Sequence, residues 1–485
     1  MNGKEARCKS KAVVRARAFY TLVIFLAGIF GLKAATAEDW PTYMHDNARS
    51  GVVSELLALD ELEEVWVHHS PAPPARAWCN DPRWDAWSST SQVPMRDFDT
   101  AIFVTVVGEN VYIGSSVTES VHCLDITTGQ QKWFFRTDGP VRFPPSYYDG
   151  KLYFGSDDGY VYCITADAGS LVWKYSPAGD TRILCNNGKL ITTWPVRTGT
   201  AVLDGKVYFA VSLVPWKTSY LCSVDAMTGS ATGSGLYKVT GNVGTAAGPI
   251  LASNDNIYLT QGRFYPRVYS RASGGYTGTL SGSGGGVYAL LTSDGSTTGF
   301  IYGQGRNNDK SGYELNAFSD RLANHPDGKY MVVAGGVAYV ITETFSIETD
   351  KGYRYNTQAN LKAIDRATAG TLWSVNLDTA CWSLILAGDV LFTGRPGKVV
   401  AHSATDGSVL WSRPATGHVR GLAAANGRLF VSTDMGKIYM FGSSFLLADF
   451  DKSGTVDLAD LAVLAGQYLQ CTDPAEPGWC VDVIP

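Results

Sequence analysis

The chain has 485 residues, 45% of them hydrophobic and 18% charged, with a formal net charge of −5. That is ample for one large packed core, and the lysines and arginines are scattered, so the concentrated basic footprint that nucleic acid requires is missing. The nine cysteines include no CxxC pair and the histidines show no metal-protease spacing, which excludes the common zinc signatures.

The first element is a secretion signal. Lys4, Arg7, Lys9, Lys11, Arg15 and Arg17 precede an apolar run from Thr21 to Leu32, and Ala35-Thr36-Ala37 offers a small-residue cleavage site before Glu38. The run is shorter than the roughly 20 residues that span a bilayer comfortably, and no cysteine follows it to carry a lipid. The expected mature protein is secreted or periplasmic, cleaved after Ala37, with no transmembrane anchor. Removing residues 1–37 takes away seven basic residues and one acidic one, so the net charge moves from −5 to −11.

A repeat fills the next four hundred residues. GENVYIGSSVTESVHCLDITTGQQKW ends at Trp133, and DGKLYFGSDDGYVYCITADAGSLVW runs from Asp149 to Trp173, 40 residues later. DGKVYFAV begins at Asp204, LKAIDRATAGTLW ends at Trp373, and GKVVAHSATDGSVLW ends at Trp411, 38 residues further on. Period-2 strands, Asp/Gly turns and a period near 40 mark an all-β propeller of four-stranded antiparallel blades. In each repeat Asp bonds its own backbone, Gly accepts positive φ, and the Trp supplies apolar area for burial against the neighbouring blade. Trp66, in EEVWVHHS, sits where a closing Trp belongs but has no blade before it, and NGRLFVSTDMGKIYMFG (426–442) has strands but no closing Trp. Circular closure by residues 60–69 resolves both. Blades then end near 133, 173, 237, 280, 322, 373 and 411, and Trp66 closes an eighth. Seven blades is the alternative, because residues 241–329 repeat weakly.

Cys123, Cys163 and Cys222 share one strand position with Ala289 and Ala363, the mark of a small buried slot. Cys471 and Cys480 bound CTDPAEPGWC and are expected to form a disulfide. Cys79, Cys185 and Cys381 receive no partner.

One constellation stands out within the repeats. PVR at 140–142 and PVR at 195–197 each precede DGK after six intervening residues, and HVR ends at Arg420. Such segments join the outer strand of one blade to the inner strand of the next. Arg142, Arg197 and Arg420 should converge beside Trp194 at one mouth of the channel, where they would suit a carboxylate or an anionic sugar. The alternative is that each Arg pairs with an aspartate of the neighbouring blade.

After the propeller, residues 449–460 read DFDKSGTVDLAD. Asp449, Asp451, Ser453, the Thr455 carbonyl, Asp457 and Asp460 fall at the oxygen-ligand positions of an EF-hand loop, with Gly454 at its sharp turn, so calcium is the expected ion. A helix follows from Leu458 to Gln470. Residues 445–485 thus form a small α-helical tail. With Asp at the last loop position, it resembles a dockerin repeat. The resemblance implies calcium binding and a cohesin-like partner, although dockerins carry two repeats and this chain has one.

The propeller itself, residues 38–444, resembles the exported repeat proteins of the pyrroloquinoline quinone (PQQ) or quinoprotein alcohol dehydrogenase-like superfamily. DWPTYMHDNARSG (39–51), LDITTGQQKWFF, GPVRFPP and WPVRTG carry the likeness. A subset of that superfamily are dehydrogenases that stack PQQ between a Trp and two adjacent cysteines; others, among them the barrel-assembly lipoprotein of the outer membrane, bind no quinone. No adjacent cysteine pair occurs here, so PQQ is not expected. The leading expectation is a non-catalytic binding or assembly scaffold with a protein or glycan partner at the mouth. A quinone-dependent alcohol or sugar dehydrogenase and a carbohydrate-active enzyme are the alternatives.

Overall fold

The Asp/Gly turns set the local geometry. Asp125 Oδ1 accepts the backbone N–H groups of Thr127 and Thr128 at 3.0 and 2.9 Å, and Asp225 does the same for Met227 and Thr228 at 3.1 and 2.8 Å. Each folds a third strand back onto a fourth. In this computed structural model, which describes residues 37–78, 98–179, 182–214, 216–262, 264–280, 288–293, 298–303, 312–316, 320–347, 354–443 and 461–463, such hairpins extend into six four-stranded antiparallel meanders. They occupy residues 104–136, 146–175, 201–241, 250–279, 288–325 and 328–376.

A seven-stranded sheet holds the rest of the repeat. Its centre is the 17-residue strand Val409–Ala425. The first half pairs with Val390–Ser403, Trp411 facing Ala401, and the second half pairs with Arg428–Thr433, Leu422 facing Val431. Glu63–His69 adds antiparallel to Lys437–Gly442, with Trp66 opposite Met440. At the other edge Val52–Val53 lies parallel to Ser383–Ala387. A two-stranded hairpin, Ile183–Asn186 with Lys189–Thr192, interrupts the passage from the second meander to the third.

The repeated Trp holds successive meanders together. Trp66 Nε1 donates to the Ile126 carbonyl, Trp173 to Ala226 and Trp373 to Ala404, at 2.9, 2.9 and 3.1 Å. In each case the acceptor lies just past the third strand of the following sheet. The turn glycine there sits under the indole: a Cβ on Gly129 would stand 2.7 Å from the Trp66 ring, and Gly129 has φ +68°. Only glycine satisfies both demands. Burying an indole of about 200 Å² contributes roughly 5 kcal/mol before entropy is counted. The slot opposite takes a small residue, Cys123 facing Trp133 and Cys163 facing Trp173. Trp133 departs from the pattern: the carbonyl of Ala166 receives the Tyr112 hydroxyl at 3.1 Å, as Ala226 receives that of Tyr153, but not the Trp133 indole.

Residues 38–53 thread past the ends of the innermost strands. Trp40 exchanges two backbone bonds with Val106, Pro41 accepts from Tyr147, Asn47 from Ala252, Ala48 from Leu291, Gly51 from Leu386 and Val53 from Gly388. This segment therefore touches the first, second, fourth and fifth meanders and the seven-stranded sheet in turn. Arg49 fastens it, fully buried, donating to the Ile250 carbonyl at 3.1 Å and the Thr200 carbonyl at 2.9 Å. No described helix is long and apolar enough to cross a membrane.

Candidate functional site

At the opposite end, where the innermost strands begin, lies a buried charge cluster. Asp157 sits in the SDDG turn between Lys151–Gly155 and Val161–Thr165. Its carboxylate accepts Arg142 Nε at 2.8 Å, Arg197 Nε at 3.0 Å and an Arg197 Nη at 2.8 Å. Arg142 reaches on to Asp99 and to the carbonyl of Ala75, and Arg197 to the Asn186 side chain at 3.0 Å. The Trp78 ring lies 5.2 Å from the Arg197 guanidinium. Burial pushes the Asp157 carboxyl up, but the two guanidinium groups outweigh it and hold the group below the ordinary carboxylate range. Burial likewise opposes the charge on Arg142, and Asp157 and Asp99 more than restore it, raising its pKa.

The structure thus brings Arg142 and Arg197 together, on an aspartate between them. Of the two arrangements expected for these arginines this is the pairing with an aspartate, not the open guanidinium groups: these two tie the segments before the second and third meanders to one turn. Trp194 does not join them. Its ring packs in the core between those meanders, and its Nε1 donates to the Thr218 carbonyl at 2.9 Å.

Arg420 stands elsewhere as well. Its guanidinium carbon lies 3.7 Å from the centre of the Trp382 ring, beside a cavity of about 40 Å³ lined by Tyr43, Phe103, Tyr330, Trp382, Arg420 and Ser432. Lys329 Nζ is also 3.7 Å from that ring, and it bonds both Glu343 oxygens, at 3.0 and 2.9 Å, and the Cys381 carbonyl at 3.0 Å. Burial pushes the Cys381 thiol up to about 11, leaving it an unreactive thiol at neutral pH.

Sequence reasoning missed Asp157, Asp99, Lys329, Glu343 and Trp382. Asp157 was hidden in an ordinary turn signature. Lys329 and Glu343 lie on adjacent strands with no local motif joining them. The signal for Trp382 was its place just before an inner strand, five residues ahead of the hairpin turn at Ala387 as Arg420 is ahead of Ala425, and one place later than Arg142 and Arg197 stand in their repeats. Asp449, Asp451, Ser453, Thr455, Asp457, Asp460, Cys471 and Cys480 lie outside the described residues; residues 461–463 beside them are helical. Among the described residues no group of three His, Cys, Asp or Glu side chains could hold a metal ion.

Residues 55–288 and 357–452 match the family model described as outer membrane protein assembly factor BamB. The chain belongs to this PQQ-like propeller family. Solved structures with the same fold include the quinohemoprotein alcohol dehydrogenase of Comamonas testosteroni, 15% identical with a TM-score of 0.59, covering 85% of this chain and 81% of that one. The quinohemoprotein alcohol dehydrogenase ADHIIG of Pseudomonas putida HK5 is 13% identical with a TM-score of 0.58, covering 84% and 80%. A europium-containing methanol dehydrogenase is 12% identical with a TM-score of 0.56, covering 84% and 98%. At these identities the likeness is one of fold. No curated protein matches the sequence. The meanders can accordingly be described as propeller blades, with the Arg–Asp cluster at the end of the axis where inner strands begin and the Trp382 cavity between that end and residues 38–53, whose Trp40, Tyr43 and Met44 help line it.

Proposed function

We propose that the chain is an exported, non-catalytic propeller of eight blades that serves as a binding or assembly scaffold, with a protein or glycan partner at its mouth and a calcium-stabilised tail. The count takes the six meanders as six blades and divides the seven-stranded sheet at Val409–Ala425 into two, Glu63–His69 being the outer strand of the last. It is supported by Trp66, which reaches from that strand to Ile126 in the first blade, and by Trp411, which donates to the Leu62 carbonyl at 3.2 Å. Trp66→Ala should cost about 3–5 kcal/mol of stability in urea unfolding.

The observation that carries the non-catalytic reading is the occupancy of the two ends of the axis among the described residues. One end is occupied by residues 38–53, and at the other Arg142 and Arg197 are committed to Asp157. PQQ is a fused tricyclic quinone with three carboxylates. The cavity beside Trp382 is about 40 Å³, against roughly 300–1,000 Å³ for pockets that hold ligands of comparable size. Cys381 is followed by Trp382, not by a second cysteine. Both features favour the reading without PQQ. Recognition then falls to exposed surface, which includes the apolar Ile183 and Leu190 of the inserted hairpin and Trp216. The decisive experiment supplies PQQ and calcium to the purified protein and follows the absorption spectrum and dye-linked turnover of alcohols and sugars. Neither should appear; a stoichiometric quinone band with turnover would overturn the reading. A glycan array with product analysis separates glycan binding from cleavage, and cleavage would make the chain a carbohydrate-active enzyme.

For the tail, the ligands are Asp449, Asp451, Ser453, Thr455, Asp457 and Asp460, and Cys471–Cys480 closes the loop behind it. The spacing supports the calcium reading, since clustered carboxylates repel until a divalent cation neutralises them. A cohesin-like domain is the partner class for this tail. Calorimetry should find one calcium taken up, and Asp449→Ala should abolish it without moving the unfolding of the propeller.

A further inference from the structure

Glu55 is buried, 4% exposed, at the seam where the first and last strands of the propeller meet. Three main-chain N–H groups face its carboxylate, those of Gly427, Glu38 and Asn426. The Gly427 N–H donates to Oε1 at 2.6 Å, and the Asn426 N–H is taken by the Glu38 carbonyl at 3.1 Å. Oε2, buried, completes no hydrogen bond among the described residues. A buried carboxylate oxygen without a donor is costly and marks a missing partner. Around it, Asp39 Oδ1 accepts from Gly108 at 2.8 Å and from the Asn426 side chain at 3.1 Å. Glu38 itself is fixed, its Oε2 accepting from Ser54 N and Oγ at 2.9 and 2.7 Å, with His45 3.1 Å from Oε1. Ala37, by contrast, is exposed.

The nitrogen of Glu38 is the one that changes chemically when the leader is removed. We propose that the carboxylate of Glu55 is a binding site for the α-ammonium group of Glu38, created when the chain is cut after Ala37. Hydrolysis breaks the bond between the Ala37 carbonyl carbon and the Glu38 nitrogen. Water supplies the oxygen that completes a carboxylate on Ala37 and the two protons that turn a one-hydrogen amide into an ammonium. The single donor facing Glu55 becomes three, with a positive charge, and Oε2 gains its bond. Processing thereby latches the start of the mature chain to the Asn426–Gly427 turn and, through Asp39, to Gly108 in the first blade. The charge also answers a local imbalance, because burial and the neighbouring Glu38 carboxylate both push the Glu55 carboxyl above its usual range. The other charged groups at the seam are Asp39, His45 and Arg428, whose guanidinium donates to the Asn426 carbonyl at 2.6 Å.

The inference rests on the reading that the chain is exported and cut after Ala37. Three chains test it: one released from a fusion with a free amine on Glu38, the same chain acetylated there, and one beginning at Ala37. At pH 6.5 the free amine should melt about 2–4 °C above the other two. The α-amino group titrates near 8 when unpaired, and pairing raises that value in the folded state. The advantage is therefore full below pH 8 for as long as the Glu55 carboxyl stays ionised, and it disappears as pH rises through the higher folded value. Glu55→Gln should erase the difference between the free and acetylated chains. Should that variant not fold, NMR of the dimethylated amine in the parent chain reads the same property, and titration well above 8 is expected. Equal melting of free and acetylated chains at pH 6.5, or an amine titrating at or below 8, overturns the latch. Sequencing the N-terminus of the exported protein tests the processing step separately: a first residue other than Glu38 overturns the export reading and leaves the comparison of the three chains intact.

Discussion

The two ends of the propeller axis each bury arginine, and they do it by opposite means. At the end filled by residues 38–53, Arg49 donates to four backbone carbonyls and the Thr42 hydroxyl, at 2.9–3.1 Å. None of these acceptors carries a charge, and burial pushes the guanidinium down to about 10. At the other end Arg142 and Arg197 grip the ionised carboxylate of Asp157, and the Arg142 value moves up instead. Dipoles from several blades satisfy the geometry of a guanidinium but compensate its desolvation only in part. A carboxylate does both, at the expense of burying a second ion. The first arrangement suits a clasp that must touch several blades, because carbonyls are available at every strand end. The second suits a joint between two neighbours.

Removing Asp157 should expose this difference most sharply. Asp157→Ala leaves two buried guanidinium groups with Asp99 alone, and a loss of about 3–5 kcal/mol in urea unfolding is expected. Replacing Asp157, Arg142 and Arg197 together by apolar residues of similar volume should recover most of that loss; failure to recover would mean that the ions also specify the joint. Arg49→Met removes a charge and its bonds together, so the smaller loss of about 2 kcal/mol is expected, arising from orphaned carbonyls. Acid provides a finer probe. The folded Asp157 value is depressed, so its contribution is present above the unfolded value near 3.9 and is lost as pH falls through the lower folded one. Arg49 meets a carboxylate only through its Coulombic contact with Asp46, so Asp157→Asn should flatten the acid limb of the stability profile more than Arg49→Met does. The smallest effect is that of salt. Both clusters are shielded from solvent ions, so raising sodium chloride from low to moderate concentration should move the melting temperature of the parent by no more than about 1 °C.

What the sequence revealed of this architecture follows from the range of each interaction. The meanders were legible because strand alternation, Asp/Gly turns and the recurring Trp are local and repeat every 40 residues or so. Where Tyr237 replaces Trp the repeat still read, because Tyr237 covers Gly274 in the next blade as the indoles do elsewhere. The inserted hairpin at 183–192 escaped notice, since its two short strands lie within the span of one repeat. The PVR motifs pointed to a shared site, but the aspartate between them came from a turn whose residues already had a local reason to be there. The segment 39–51 was recognised by its likeness to a family and not by its role. Its bonds go to backbone groups scattered from Val106 to Gly388, and no side-chain pattern announces a partner that is a carbonyl.

The path of that segment has a consequence for the order of events during synthesis. Residues 38–69 leave the ribosome, and cross any membrane, ahead of everything they will touch. Their partners around Leu386, Asn426 and Met440 arrive more than three hundred residues later. The blades between can form from neighbouring sequence as they emerge, but the opening segment and the strand around Trp66 must wait, with apolar surface and an unpaired edge uncovered, until the last strands appear. This early part of the chain is the last to find its place, and the time that it waits is the interval in which the protein is most open to aggregation and most dependent on whatever shields it.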